Sequence, residues 1–416
     1  MTSNSICDKN GKIILLCNGI QLKDAQDRFL DGGDNKLVPD NNYIVDYQLF
    51  HGLKSPDGTL LLPIPDTECV YTLFHWNMRV SNDPRLVFVA DTLYMSTIKK
   101  KDDRYYFSEF RKKILVDTIE INITATKHAN GKDWWVVVPG RLSNRLNVVK
   151  LTKDGATHTH TQYIGKPYND VCGGQTKFTP DGTKYIWHTP CDGLHIKDFD
   201  RRTGRFCNPI YLPPWDYVDG LWGGLECSPN SRYIYPFNNY AVWQLDLTSK
   251  NILKSKIKVA ELEKNTDNSS FSFAQLAPNN KIYISSSNKY YHVIHKPNLK
   301  GEQCDLRQND LELPTFCAWA IPNFPNFRLG PMDIDVRPNH QYCLSLSTNP
   351  VVDRTDISTD FDYGAIQIFD IAGKLIQEYG RDVTTLDISQ FPSGMYIVTL
   401  LSLDNKKSIS TKLVKL

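Results

Sequence analysis

No Cys-x-x-Cys pair, Gly-x-Ser-x-Gly elbow, Gly-Lys-Ser/Thr phosphate loop or His-Glu-x-x-His occurs anywhere in the 416 residues. Their absence removes the commonest sequence grounds for a paired-cysteine zinc site, an α/β-hydrolase nucleophile, a nucleotide phosphate cradle and a zinc protease. Long apolar runs are also missing. Lys12–Cys17 and Leu60–Leu62 are strand-sized, far short of the roughly 20 residues a membrane helix needs. Neither sign of charge dominates: 48 Lys and Arg against 46 Asp and Glu leave +2, so no strong field draws the chain to nucleic acid or acidic lipid. The amino terminus does not read as a signal peptide. Met1–Asp8 is polar, and the apolar run behind it follows a Lys9-Asn10-Gly11 turn with no small-residue cleavage site. By this reading the chain is intracellular, or an export signal was removed or never formed part of it.

What is present is ordinary in amount and regular in arrangement. Hydrophobic residues make up 41% and charged residues 23%, enough to bury a sizeable core. A turn marker recurs. Ser55-Pro56-Asp57-Gly58-Thr59 precedes Leu60-Leu61-Leu62, and Thr179-Pro180-Asp181-Gly182-Thr183 precedes Lys184-Tyr185-Ile186-Trp187. Ser228-Pro229-Asn230-Ser231-Arg232 and Ala277-Pro278-Asn279-Asn280-Lys281 likewise lead into Tyr233-Ile234-Tyr235 and Ile282-Tyr283-Ile284, with weaker copies at Asp8–Lys12 and His128–Lys132. Proline presets the first turn position, Asp or Asn supports the second, and Gly or Asn accepts positive φ. A β-branched or aromatic strand follows each, which is a hairpin pattern. Repeats of roughly 40–50 residues, each a run of short strands, are the signature of a β-propeller, whose blades need neighbours to cover both faces. The markers allow six or seven blades over residues 1–331. Seven is favoured, because the chain starts inside a blade; the long interval from Gly58 to Gly131 carries the basic, aromatic insertion Lys99–Lys113.

After Gly330-Pro331 the pattern changes. Residues 336–416 hold short alternating strands at Gln341–Ser347, Gly364–Ile371, Lys374–Glu378, Thr384–Ile388, Met395–Leu401 and Ser408–Leu416. This stretch is too short for two blades and suits a small Ig-like antiparallel β-sandwich. Ile366–Lys374, Leu386–Ser389, Phe391–Val398 and the ending Thr411–Leu416 resemble, in order, the type A C-terminal sorting domain of the type IX secretion system of Bacteroidota. On that resemblance the sorting signal is carried by Gly373, Lys374, Pro392, Ser393, Gly394, Tyr396, Lys412, Leu413 and Val414. The family opens on Pro-Asn-Pro, where this chain has Thr348-Asn349-Pro350. The resemblance implies a secreted protein, released or attached to the outer cell surface. Its implied partners are the secretion machinery and the outer-membrane shuttle, and it further implies a signal peptide upstream of residue 1. His128–Trp135, Leu276–Pro278, His292–Pro297 and Ile321–Gly330 in turn resemble secreted propeller proteins of the same phylum, which bring no activity with them.

Candidate chemistry is thin. His128 with Asp133 reads either as an acid–base pair or as backbone-bonding turn residues. Trp134 and Trp135 read as sugar-stacking rings or as core, and alternation sends them to opposite faces of a strand. Trp215 and Trp222 lie in an aromatic, Gly-rich loop between blades, suited to a glycan or protein partner or to blade packing. His158 with His160 shares a strand face but has no further ligand at zinc spacing. His188 and His195 flank Cys191 and Asp192. Lys99–Lys101 with Arg104 and Arg111–Lys113 forms a basic patch that reads as solvated. No catalytic set, metal site or cofactor is assigned. Ten scattered cysteines permit disulfides, for example Cys172–Cys191 or Cys304–Cys317, or free buried thiols. The leading expectation is an extracellular binding module for a glycan or surface protein. A propeller hydrolase or lyase (lactonase-like or polysaccharide-degrading) and a surface-filament subunit are the alternatives.

Overall fold

The computed structural model describes residues 2–8, 10–32, 37, 52, 57–80, 88–120, 122–168, 173–215, 222–262, 269–317, 319–332, 342, 344–359, 361, 363–381, 383–404 and 406–416. Among these, the first 322 residues form six sheets of four strands, set around a central axis as a β-propeller. Blade 4 shows the plan: Gln175–Phe178, Lys184–Thr189, Gly193–Asp200 and Arg205–Leu212 pair antiparallel in sequence order, from the axis outwards. Blades 2, 3, 5 and 6 follow it from Leu60, Thr124, Gly223 and Ala274.

The described sheets meet the lower of the two expected counts, and the physical reason lies in two places. Blade 2 absorbs the long Gly58–Gly131 interval in extended strands, Val70–Val80, Phe88–Lys101 and Arg104–Ile119, rather than in an extra blade. Its basic Lys99–Lys113 stretch forms the tip and flank of that hairpin. The chain does start inside a blade: Thr2–Cys7, Ile13–Cys17 and Leu22–Asp24 form blade 1. The returning strand Ile321–Pro322 joins that same sheet, parallel to Thr2–Cys7, instead of founding a new one. One marker also sits elsewhere than its siblings. Four copies turn from the innermost strand into the second and Asp8–Lys12 turns from Thr2–Cys7 into Ile13–Cys17, whereas Asp57–Thr59 leads into the innermost strand of blade 2, Leu60–Pro63.

Alternation puts both faces of each blade into apolar seams. Between blades 2 and 3 lie Leu60, Phe74, Trp76, Trp134, Val136 and Val149. Between blades 3 and 4 lie Trp135, Val137, Val148, Tyr185, Trp187 and Phe206. Similar clusters fill the seams 1–2, 4–5 and 5–6, while Ile321–Pro322 bridges blade 6 to blade 1. Burying such side chains contributes about 1.5–3 kcal/mol each, so the seams carry most of the ring's stability. Crowding near the axis demands glycine: a Cβ on Gly174 would fall 2.1 Å from the His188 carbonyl oxygen, and one on Gly224 would fall 2.4 Å from Gln175 Oε1.

The carboxy-terminal unit is the expected sandwich. One sheet holds Leu344–Leu346, Arg354–Thr359 and Thr385–Asp387; the other holds Leu375–Gly380, Tyr363–Asp370, Gly394–Ser402 and Ser408–Lys415. Ile366, Ile368, Val398, Leu400 and Leu413 face Leu346, Leu386 and Ile388 across its core. Arg354–Thr359 escaped the sequence reading because Arg-Thr-Asp-Ile-Ser-Thr carries one apolar residue, and pairing on both sides holds it instead. The sandwich touches the propeller where Asn144 Nδ2 donates to the Ser347 carbonyl at 3.1 Å.

Among the cysteines, Cys191 and Cys207 each take part in a disulfide. Cys304 and Cys317 are free, which overturns that suggested pair: Cys304 packs in the seam between blades 5 and 6, while the Cys317 thiol donates to the Ser286 carbonyl at 2.9 Å. Cys172 lies outside the described residues.

Candidate functional site

The axis of the ring is occupied by the chain itself. Asn323 Nδ2 donates to the carbonyls of Thr59 in blade 2 (3.2 Å) and Ile123 at the entry to blade 3 (3.0 Å). The Asn323 backbone N–H reaches Ser3 in blade 1 at 3.0 Å. Gln275 of blade 6 donates to the Phe324 carbonyl at 3.1 Å, and Asn326 donates to the Pro180 carbonyl of blade 4 at 2.8 Å. Contact with five blades within residues 323–326 is available only on the axis. The segment then leaves across the face that carries the marker turns. Arg328 donates to the Pro278 carbonyl at 3.1 Å, buried Arg201 donates to the Gly330 carbonyl at 2.7 Å, and Phe327 packs edge-on to Trp134.

Beside this thread the centre is filled by a buried polar network. Lys177 Nζ donates to Gln275 Oε1 at 3.0 Å and lies 3.6 Å from Glu226 Oε2. Glu226 accepts from the backbone N–H groups of Cys227 (2.8 Å) and Leu276 (2.9 Å). Gln175 Nε2 approaches the Asp57 carboxylate at 3.4 Å, and its Oε1 accepts from the Ala274 N–H at 2.8 Å. Burial raises the carboxyls of Asp57 and Glu226 above their usual range, opposed by the charge of Lys177. These groups satisfy one another and staple blades 2, 4, 5 and 6 together. None of them entered the sequence reading, yet a signal existed. Lys177, Glu226 and Gln275 each stand three residues before a marker proline (Pro180, Pro229 and Pro278), so they share one inward-facing register.

The residues singled out from sequence fall in several places. The His128 N–H donates to the Asp133 carbonyl at 2.8 Å, while Asn130 bridges the two side chains, donating its N–H to His128 Nδ1 and its Nδ2 to Asp133. The Asp133 carboxylate also faces Lys150 Nζ at 3.4 Å. Trp134 and Trp135 do split between opposite faces, each into its own seam. Trp134 is capped by Lys127 Nζ at 3.7 Å, and Trp135 donates to the Arg201 carbonyl at 2.8 Å with the bare Cα of Gly204 against its ring. Trp215 lies half-buried beside His188 and Trp243 at a cavity of about 10 Å³, room for a water and no more. Trp222 is 44% exposed.

Trp222 belongs to the end of the ring opposite the marker turns. Its N–H donates to Asn239 at 2.8 Å, its ring meets Phe273, and Gly173 lies so close beneath it that a Cβ there would clash at 2.5 Å. Trp319, 43% exposed, is linked to the same Phe273 through Ser285: its carbonyl accepts from Ser285 at 3.0 Å, and Ser285 also receives the Phe273 N–H at 3.1 Å. The Trp319 indole N–H ends a hydroxyl chain through Ser287, Ser270 and Ser272. Trp319 is held at φ 63°, a left-handed conformation that costs a bulky residue on the order of 1–3 kcal/mol. This end of the ring thus presents two exposed indoles with hydroxyls and amides bonded beside them.

A second cluster of titratable groups lies against blade 4. His195 Nε2 is 2.8 Å from Asp192, Asp192 faces Lys166 at 3.3 Å, and Lys197 donates to Tyr168 at 3.0 Å. Burial holds His195 down to about 4 and Lys197 down to about 7. Tyr168 and Tyr211 lie against the His195 ring, and His195, Lys197 and Tyr168 are all buried, so the cluster meets solvent through Lys166 and Tyr211 and not through its histidine. His158 and His160 each bond a neighbouring threonine, and no group of three or more metal-ligating side chains occurs among the described residues.

In the sandwich, the residues of the expected signal divide between framework and surface. Tyr396 and Leu413 are buried, and the Tyr396 hydroxyl donates to the Pro392 carbonyl at 2.8 Å. Gly373 takes φ 82° in the turn that presents Lys374, and Asp370 pairs across to Tyr396. The turns at Gly373-Lys374 and Pro392-Ser393-Gly394 therefore emerge together at one end. Asn349 clamps the last strand, donating to the Lys412 carbonyl at 2.5 Å and accepting from the Val414 N–H at 2.9 Å. The Thr348-Asn349-Pro350 variant thus still has an asparagine that holds Ser408–Lys415 in place.

Residues 348–415 match the family model described as the secretion system C-terminal sorting domain, and that region is such a domain. Curated protein sequences gave no match. Among solved structures, PorZ, described as an essential bacterial surface component of the type-IX secretion system of Porphyromonas gingivalis, is 10% identical, with 83% of this chain and 58% of that chain covered at a TM-score of 0.32. The chain thus spans little more than half of that protein. A functionally unknown protein of Desulfotomaculum acetoxidans is 10% identical over 81% of this chain and 98% of its own (TM-score 0.35). The Dos1 propeller is 9% identical over 76% and 74% (TM-score 0.40). At these scores the likeness carries no functional argument, and among the described residues no helix is long and apolar enough to cross a membrane.

Proposed function

We propose that this type IX secretion cargo, which its sorting domain sends to the cell surface or the extracellular space, works there as a binding module. The ligand surface is the end of the propeller that carries Trp222 and Trp319, and the ligand class is a neutral glycan. One observation supports this above the others. The axis, where propeller enzymes gather their side chains, is threaded by residues 321–326 and filled by mutually satisfied groups, while two tryptophans edged with hydroxyls stay exposed at one end. Exposed indole faces stack on the apolar faces of sugar rings, and serine and asparagine side chains exchange hydrogen bonds with their hydroxyls.

The test is an array of neutral oligosaccharides probed with the full chain, followed by titration of the best ligand. Trp222→Ala and Trp319→Ala are each expected to weaken binding about tenfold without changing the melting temperature of the ring. If no neutral glycan binds, or if both variants bind as tightly as the parent, the reading fails.

A further inference from the structure

We infer a second binding site, for an anionic oligosaccharide, in a groove of about 570 Å³ on the rim of blades 5 and 6. The groove lies on the marker-turn side, away from Trp222. Its floor is Gln244, which is buried and fully engaged: it donates to the Tyr235 hydroxyl and the Leu299 carbonyl at 2.7 Å each, and accepts from the Gly301 N–H at 2.8 Å. That lock fixes the blade 6 turn against blade 5 and makes the concavity a permanent feature of the surface. A concavity of this size falls within the range that holds small ligands.

Its charge is one-sided. Arg232, Lys250, Lys254 and Lys300 line it against a single carboxylate, Asp246. Asp246 is already consumed: Arg232 grips it through Nη2 at 2.7 Å and Nε at 3.1 Å, and Thr248 donates both its N–H and its hydroxyl. These bonds hold the Asp246 carboxyl down to about 2. No ion pair occurs for Lys250, Lys254 or Lys300 among the described residues, and all three are exposed. Many other surface lysines are paired, as in Lys23–Asp27, Lys132–Asp66, Lys258–Glu261 and Lys289–Glu312. Three unpaired ammonium groups around a concave wall focus a positive potential. They supply point donors for carboxylate or sulfate groups spread over several sugar units, with the Ser249 and Asn251 side chains beside them for hydroxyls.

The site stands apart from whatever occupies the tryptophan surface, and its test separates the two. The full chain is titrated with tetragalacturonate, with a sulfated tetrasaccharide from heparin, and with maltotetraose as the neutral control. Both anionic probes are expected to bind, with an affinity that falls as salt rises; the better of them tells carboxylate from sulfate preference. The combined variant Lys250→Ala, Lys254→Ala, Lys300→Ala is expected to lose at least tenfold in affinity, with a shallower salt slope. Lys99→Ala, Lys100→Ala, Lys101→Ala, which removes the same charge from the blade 2 hairpin, is expected to stay within twofold of the parent, as is Trp222→Ala. Equal losses in the two lysine variants would mean attraction by bulk charge and would overturn the proposal. So would parental binding by the groove variant, or loss of binding in Trp222→Ala alone.

Discussion

The propeller and the sandwich solve the problem of an interior in opposite ways. The ring has an axis that seams cannot reach, and it fills that axis with charge: Asp57, Lys177 and Glu226 are all buried there, with Asp192 and Lys197 buried further out on blade 4. The sandwich has two sheets and no axis. Its core is aliphatic and aromatic, and Lys415 is the one charged side chain buried among its described residues. The difference teaches where each unit is vulnerable. A propeller can be broken by one unbalanced proton or one missing partner, whereas a sandwich of this kind responds mainly to packing and to the clamps on its edge strands.

Removing the sandwich is the largest way to test that separation. Deletion of residues 348–416 is expected to abolish appearance of the protein outside a type IX-competent cell while the ring keeps its cooperative melting. Unchanged export, measured by immunoblot of the medium and cell surface, would contradict the role of the domain. Next in size is Lys177→Met, which leaves Glu226 buried without its cation and is expected to cost the ring about 3–5 kcal/mol. Chemical denaturation followed by tryptophan fluorescence isolates the effect, because all eight tryptophans lie in the propeller. A cost below 1 kcal/mol would mean that the network is not the staple described above.

Acid should separate the two units as well. Burial holds His75 and His188 down to about 3 and His195 and His292 down to about 4, while residues 344–416 contain no histidine. A depressed folded pKa means that the unfolded chain takes up the proton first. The stabilising contribution is therefore present above the unfolded value near 6.5 and is lost as pH falls from there towards 4 and 3, at up to about 1.4 kcal/mol per pH unit for each histidine. The raised carboxyls of Asp57 and Glu226 act in the other sense, since the folded ring binds their protons first, so Glu226→Gln should steepen the acid loss. Melting curves from pH 7 to 5 that move the sandwich as much as the ring would refute this division. The smallest effect belongs to the sandwich: Asn349→Ala removes both clamps on Ser408–Lys415 and is expected to cost it about 1–2 kcal/mol, with the ring unmoved.

Much of this architecture was legible because turns are local chemistry. Pro180-Asp181-Gly182 and its copies announce hairpins within a few residues, and the sorting-domain strands alternate cleanly from Ile366 onwards. Blade number was harder, since it depends on where Ile321–Pro322 returns, a pairing across the whole ring that no local pattern records. The marker at Ser55–Thr59 misled for a related reason: the same turn chemistry serves a connection between blades and a turn within one. The site was least legible of all. His128, Trp134 and Trp135 carry reactive or aromatic side chains, but the seams claim them. Lys177, Glu226 and Gln275 look unremarkable until their common offset from the marker prolines places them on the axis. Lys250, Lys254 and Lys300 converge only because Gln244 binds two blades together.

The threaded segment also determines how the molecule bears a load. In a ring whose last blade continued straight into the tail, a pull on the sandwich would peel blade 6 away strand by strand. Here the force enters through residues 326–332, whose bonds to the turns of blades 3, 4 and 6 and to Arg201 spread it over three blades at once. What remains must draw Asn323 and the Ile321–Pro322 strand lengthwise along the axis, shearing several hydrogen bonds together. The propeller is gripped at its hub, so a pull on the tail meets several blades at once.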